Sequence, residues 1–294
     1  MAVVLGILFA LGAATAGADE GPTVNCHDTA RDTVSRTLPA TCEGAIVSDE
    51  EAEAIRARRA AAIRRAMEPR KTFAYPKRRV AGLGSGFFVR RDGILVTNEH
   101  VVRRCLKSVS IATTEGDEVQ ARVLAIDRRN DLAVLKAAIQ PPGVATFRPP
   151  GEPDDGTPVF VIGYPTKTLP PITPQLTSGT FLRHGDALVS KLELPQAYRK
   201  MKAFIYPGNS GGPALDALGR VAGVVVAQVN SVSVYEKTGE TVRDLGFYID
   251  NKALFRLLDH IKITFTIRDG GTAAEGKAVF AAAKPFIARI KCWQ

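Results

Sequence analysis

The sequence predicts an all-β body of many short strands, arranged as barrels or a sandwich, behind an N-terminal helical extension. Three observations carry this expectation. From Arg78 onward, short apolar runs alternate with Gly, Pro and Asp turn signals. Before them, Ser48 followed by Glu51 forms a capping box at the start of a long Ala/Arg/Glu segment. The chain of 294 residues is 45% hydrophobic and 23% charged, enough apolar material for a sizeable core or two.

Residues 1–18 carry no charged side chain, end in Ala16-Gly17-Ala18 and give way to Asp19-Glu20. This pattern is that of a secretory signal cleaved after Ala18, which would place the mature chain outside the cell or in the periplasm; lacking Lys or Arg before its apolar run, it also fits an uncleaved membrane anchor or a misassigned start. No later apolar run is long enough to span a bilayer.

Residues 19–77 form an extension. Its first part is polar and Thr-rich with little periodicity. A helix is expected over Asp49–Met67, before Pro69, with a thin stripe of Ala52, Ile55, Ala62, Ile63 and Met67. The net charge of +9 concentrates here: Arg56, Arg58, Arg59, Arg64, Arg65, Arg70, Lys71, Lys77, Arg78 and Arg79 face the single acid Glu68. Such a segment suits an anionic membrane surface or an acidic partner, or is simply a solvated basic face. No nucleic-acid recognition motif accompanies it.

Residues 78–150 hold the first strand set: Gly86–Val89, Ile94–Val96, Lys107–Ala112, Glu118–Ile126 and Leu132–Lys136. Pro141-Pro142-Gly143 through Pro149-Pro150-Gly151 reads as a linker. Residues 151–268 hold the second: Pro158–Ile162, Gln175–Leu182, Ala187–Leu192, Pro213–Leu215, Val221–Val229 and Gly246–Ile249. A helix from Ala253 to Ile261, capped by Asp250, follows. Residues 269–294 form a tail that reads as helical from Thr272 to Ile290, interrupted by Pro285.

The chemistry centres on Gly208-Asn209-Ser210-Gly211-Gly212-Pro213. Flanking glycines allow a tight turn that exposes the Ser210 hydroxyl and lets a substrate approach. Backbone N–H groups of the Gly208-Asn209-Ser210 turn, those of Gly208 and Ser210 foremost, then form an oxyanion hole. A serine needs a base. Of His27, His100, His184 and His260, only His100 directly follows an apolar strand, in Thr97-Asn98-Glu99-His100-Val101-Val102. The base needs an orienting carboxylate. Asp131 opens the apolar run Leu132–Leu135 and is preferred over Asp127, four residues earlier.

These stretches, with Gly84-Ser85-Gly86-Phe87-Phe88-Val89, Gly163-Tyr164-Pro165 and Thr177-Ser178-Gly179, occur in the order His, Asp, Ser. Together they resemble the trypsin-like serine peptidases, and most nearly the catalytic domain of the HtrA family, over residues 78–261. The resemblance implies two six-stranded antiparallel β-barrels of chymotrypsin type with His100, Asp131 and Ser210 in the cleft between them. It implies peptide-bond hydrolysis through an acyl-enzyme, protein or peptide substrates, a role in envelope protein quality control, and no cofactor or metal. It also implies a primary pocket lined by Ala203, Phe204, Ile205 and Tyr206 and by Val225, Val226, Ala227 and Gln228. No acid lies there, so small or aliphatic residues are expected before the scissile bond. A non-catalytic binding or chaperone protein on the same scaffold is the alternative.

HtrA proteins usually carry a PDZ domain after the peptidase; only about 30 residues follow Ile261, too few for one. Asn209 stands where amine-triggered relatives have an aspartate, so no such zymogen step is expected, although Arg79-Val80-Ala81-Gly82 resembles an activation site. Cys26, Cys42, Cys105 and Cys292 behind a signal suggest two disulfides. Cys26 with Cys42, around a short Pro-containing loop, is the expected pair. Cys105 with Cys292 then pins the tail to the first strand set.

Overall fold

The computed structural model describes residues 22–29, 32–67, 75–105, 107–114, 116, 118–166, 172–183, 195–228 and 244–294. The expected leader and the expected strand at 187–192 lie outside them. The chain divides into two units, one up to Arg64 and one from Arg65.

In the N-terminal unit, β1 (Val24–Asp28) pairs antiparallel with β2 (Thr33–Thr37) and β3 (Ala45–Val47) in the order β2-β1-β3. Periodicity did not reveal this sheet, because only Asn25 and Cys26 are buried in it. Cys26 bonds Cys42. Helix α1 (Asp49–Met67) starts at the capping box: the Ser48 N–H donates to Glu51 Oε2 (3.0 Å) and the Glu51 N–H to Ser48 Oγ (3.1 Å). Of the described side chains in the expected stripe, Ala52 and Ile55 are buried and Ile63 is half-buried. Asp32 accepts from Arg58 (2.7 Å) and pairs with His27 (2.9 Å).

The second unit holds two closed six-stranded antiparallel barrels. The first runs β4 (Val80–Phe88), β5 (Ile94–Thr97), α2 (Glu99–Val102), β6 (Val109–Thr113), β7 (Val119–Asp127) and β8 (Leu132–Ala137). The second uses β9 (Pro158–Gly163), β10 (Gln175–Phe181), β11 (Tyr198–Lys202), β12 (Pro213–Leu215), β13 (Val221–Gln228) and β14 (Leu245–Asp250). Strand β11 reads Tyr-Arg-Lys-Met-Lys, without an apolar run, and sequence reasoning passed over it; pairing with β10 and β14 defines it. Helix α3 (Asn251–His260) follows, its Ala253 N–H capped by the Asp250 carboxylate (3.0 Å).

The segment expected as a helical tail is helical only in α4 (Gly276–Ala283) and the 3-10 turn Lys284–Phe286 that follows it. After Pro285 it becomes β15 (Ile287–Trp293), which inserts between β4 and β6 and supplies the sixth stave of the first barrel. Cys105–Cys292 ties this strand down. So does a buried polar chain: Trp293 Nε1–H donates to Ser110 Oγ (2.7 Å), Ser110 to Glu118 (2.5 Å), and Lys291 Nζ also reaches Glu118 (2.6 Å). Burying Glu118 requires these partners.

The expected linker is instead a junction. Fully buried Phe147 packs near Phe87 of β4, Phe255 of α3 and Phe265, with ring centroids 6.2, 5.3 and 5.6 Å away. Its N–H donates to Thr266 O, and the Arg148 N–H to Val221 O. One apolar cluster therefore runs through both barrels, and a second, including Val159, Phe181, Met201 and Tyr248, lies within the second barrel.

Candidate active site

Asp131 immediately precedes β8 and lies in the left-handed region (φ 54°), a conformation aspartate tolerates better than most residues. Four hydrogen bonds hold it. Its carboxylate accepts the His100 N–H at Oδ1 (2.8 Å) and binds His100 Nδ1 at Oδ2 (2.7 Å). Its carbonyl accepts from Asn98 Nδ2 (2.9 Å) and from the Glu99 N–H (3.1 Å). The competitor Asp127 is engaged elsewhere: its carboxylate accepts the Asn130 N–H (3.1 Å) and side-chain Nδ2 (2.6 Å), closing the turn that presents Asp131. Of the other histidines, His27 pairs with Asp32 in the N-terminal unit, His260 ends α3, and His184 lies outside the described residues.

Ser210 enters from the second barrel. Gly208 and Gly211 flank it with φ of 101° and 86°, and a Cβ on Gly211 would sit 2.2 Å from Ser85 O and Thr97 Oγ1. The Ser210 carbonyl accepts the Ser85 N–H (2.8 Å), and the Thr97 hydroxyl donates to Ser85 O (2.7 Å). The Ser210 turn thus packs directly on the end of β5, whose chain continues into His100. The Ser210 hydroxyl itself donates to Val226 O (2.6 Å).

Among the described residues, the N–H groups of Gly208 and Ser210 have no hydrogen-bond acceptor, as oxyanion donors require. Asn209 does not join them, a correction to the expected three-residue hole: its N–H is donated to Tyr206 O (2.9 Å). Its side chain is buried with no partner among the described residues. The activation-like Arg79-Val80 sequence is built into the ladder, with reciprocal Arg79–Gln294 backbone bonds (2.7 and 2.9 Å).

The residues expected to line the primary pocket differ in exposure. Extended backbone sends successive side chains to opposite sides. Ile205 is buried against Gly246, whereas Phe204 and Tyr206 turn outward, 41% and 43% exposed, with their rings edge to face at 4.6 Å. Ala203, Val225 and Val226 are buried, and Ala227 and Gln228 complete β13. Tyr198 was missed by sequence reasoning. Burial, and then the nearby Asp131 carboxylate, push its hydroxyl well above the usual tyrosine range. A neutral phenol on β11 therefore stands near the charged carboxylate.

Two barrels, with an aspartate-held histidine on one and a serine turn on the other, define the chymotrypsin class of serine peptidase folds. Residues 84–224 match the trypsin-like peptidase domain family, so the chain carries a trypsin-like serine peptidase domain of the HtrA-related kind. It is similar to a probable periplasmic serine endoprotease, DegP-like, of Chlamydia trachomatis: 30% identical over 186 residues, 63% of this chain and 35% of the relative. It is 35% identical over 168 residues to the putative serine protease HhoA of Synechocystis, covering 53% of this chain and 40% of that one. The chain thus spans well under half the length of these curated relatives. A solved variant of the HtrA-type protease AlgW with a decapeptide superposes with a TM-score of 0.50 at 27% identity, over 61% of this chain and 50% of that one.

Proposed function

We propose that the protein is a serine endopeptidase of the periplasm or cell exterior, with His100 as base, Asp131 as its orienter and Ser210 as nucleophile. The observation that carries this reading is the double grip of Asp131 on His100, through backbone N–H and Nδ1. It fixes the ring with Nδ1 protonated and leaves Nε2 as the basic atom.

In the reaction, rotation about Ser210 χ1 carries the hydroxyl from Val226 O to His100 Nε2. The freed Val226 carbonyl then accepts a backbone N–H of an extended substrate. Ser210 Oγ attacks the scissile carbonyl carbon as its proton passes to Nε2, and Asp131 stabilises the imidazolium formed. The N–H groups of Gly208 and Ser210 receive the oxyanion, each worth about 2.7–4 kcal/mol. Collapse expels the amine, which takes the proton from His100, and water repeats the sequence on the acyl-enzyme. Ile205, Ala203 and Val226 make the primary pocket apolar and favour small or aliphatic residues before the cleaved bond. The signal-like pattern of residues 1–18 and the likeness to DegP-like relatives support the location, and with it a part in envelope protein turnover.

A fluorophosphonate probe and a peptide-library digestion test this reading together. The protein should be labelled at Ser210 and should cut after small aliphatic residues; Ser210→Ala should do neither. An unlabelled, non-cleaving native protein would leave the scaffold a binding or chaperone module.

A further inference from the structure

We infer that Ser85 is a positioning residue that sets the oxyanion turn, an assignment that rests on the peptidase reading above. Ser85 belongs to β4 of the first barrel and is fully buried. Each of its polar atoms is engaged. Its Oγ donates to Gly208 O (2.7 Å) and accepts the Tyr164 N–H (2.8 Å). Its N–H donates to Ser210 O (2.8 Å), and its carbonyl accepts the Thr97 hydroxyl (2.7 Å). One residue of the first barrel therefore holds the carbonyls of both Gly208 and Ser210, the two residues whose N–H groups face the developing charge.

The consequence follows from glycine's freedom. Gly208, with φ 101° and no Cβ, does not fix its own peptide planes. Pro207 O is held by the Thr166 N–H (2.8 Å) and Gly208 O by the Ser85 hydroxyl, so the planes on both sides of Gly208 are set by bonds from outside the turn. Remove the hydroxyl and the Gly208–Asn209 plane keeps only the Asn209 N–H bond to Tyr206 O. The backbone angles that relate the Gly208 N–H to the Ser210 N–H across that plane then relax, and the two donors no longer converge on one oxyanion, where their geometry decides the rate. Ser85 also fits by size. A Cβ on Gly163 would lie 2.7 Å from Ser85 Oγ, and one on Gly212 3.4 Å from Ser85 Cβ, so the slot admits little beyond serine.

Because Ser85 links Thr97, at the end of the strand leading to His100, with the Ser210 turn, it also couples base and nucleophile across the barrels. It touches neither substrate nor proton. Its loss should therefore lower kcat without moving the substrate affinity or the ionisation of His100.

The experiment compares native protein, Ser85→Ala, Ser85→Cys and Ser210→Ala on one peptide substrate from the library digestion. It measures kcat, KM, the acid limb of the pH–rate profile, and affinity for a peptide aldehyde against the corresponding product peptide. Ser85→Ala should lose about 10- to 100-fold in kcat and in aldehyde affinity, the scale of a misplaced rather than absent donor. KM, product-peptide affinity and the acid limb should hold, and Ser85→Cys, a weaker donor of similar shape, should fall between. Native kcat in Ser85→Ala, or a loss carried by KM or by a shifted acid limb, overturns the assignment. If Ser85→Ala does not fold, Ser85→Cys decides alone: a kcat and aldehyde-affinity deficit at unchanged KM supports it, and native values overturn it. A native protein unlabelled by fluorophosphonate at Ser210 would mean instead that the peptidase reading has failed.

Discussion

Replacing Asp131 by asparagine should disable the site through the tautomer of one ring. The Oδ1 position accepts the His100 N–H at 2.8 Å, so an asparagine must keep its carbonyl oxygen there. Its NH2 group is then forced onto the Oδ2 position, 2.7 Å from His100 Nδ1. Two N–H donors cannot face each other, so Nδ1 becomes the acceptor and the proton moves to Nε2. A protonated Nε2 cannot take the Ser210 proton. The size of the loss follows from the triad precedent: about four decades in kcat, or about 5.4 kcal/mol at about 1.36 kcal/mol per decade. The carbonyl bonds from Asn98 and Glu99 involve only backbone of residue 131, so the loop and the fold should persist. Steady-state kinetics on a cleaved peptide, with near-UV circular dichroism as the fold control, measures it. Asp131→Asn retaining more than about a tenth of native kcat would refute the assignment of His100 as base.

Three further outcomes test the fold. Phe147→Ala should destabilise the second unit by about 3–5 kcal/mol in guanidinium unfolding, since it empties a fully buried site shared by four rings. Replacing Cys105 and Cys292 by serine should cost up to about 5 kcal/mol, and Cys26 with Cys42 up to about 3. Their sequence separations of 187 and 16 residues set this order, and equal losses would contradict it. Asp32 is held below the usual carboxylate range by its hydrogen bond from Arg58, aided by His27. Its contribution is therefore complete above the unfolded-state value and lost as pH falls through the lowered native one. A carbon-13 titration of its carboxyl should show the low midpoint, and Arg58→Ala should raise it.

The residues of the candidate site were legible because each sits beside a local signal. His100 follows an apolar strand, Asp131 precedes another, and Ser210 lies among glycines whose positive φ and close contacts demand them. Helix α1 was legible for the same reason, its capping box being a four-residue signal. Elements defined by distant partners were not legible. Strand β11 has no apolar alternation, and β15 follows a helix and a proline in an Ala- and Lys-rich stretch; only pairing with strands far away in sequence makes them strands. Ser85 was visible as part of a motif, but its role depends on Gly208, 123 residues away. The outward turn of Phe204 and Tyr206 depended on the phase of an extended segment, which composition does not reveal.

The late position of β15 has a bearing on biosynthesis. A ribosome releases every strand of the second barrel before the stave that closes the first, so the histidine-bearing half stays open while the serine-bearing half can already be complete. The barrel that carries His100 is therefore complete only once β15 has joined β4 and β6.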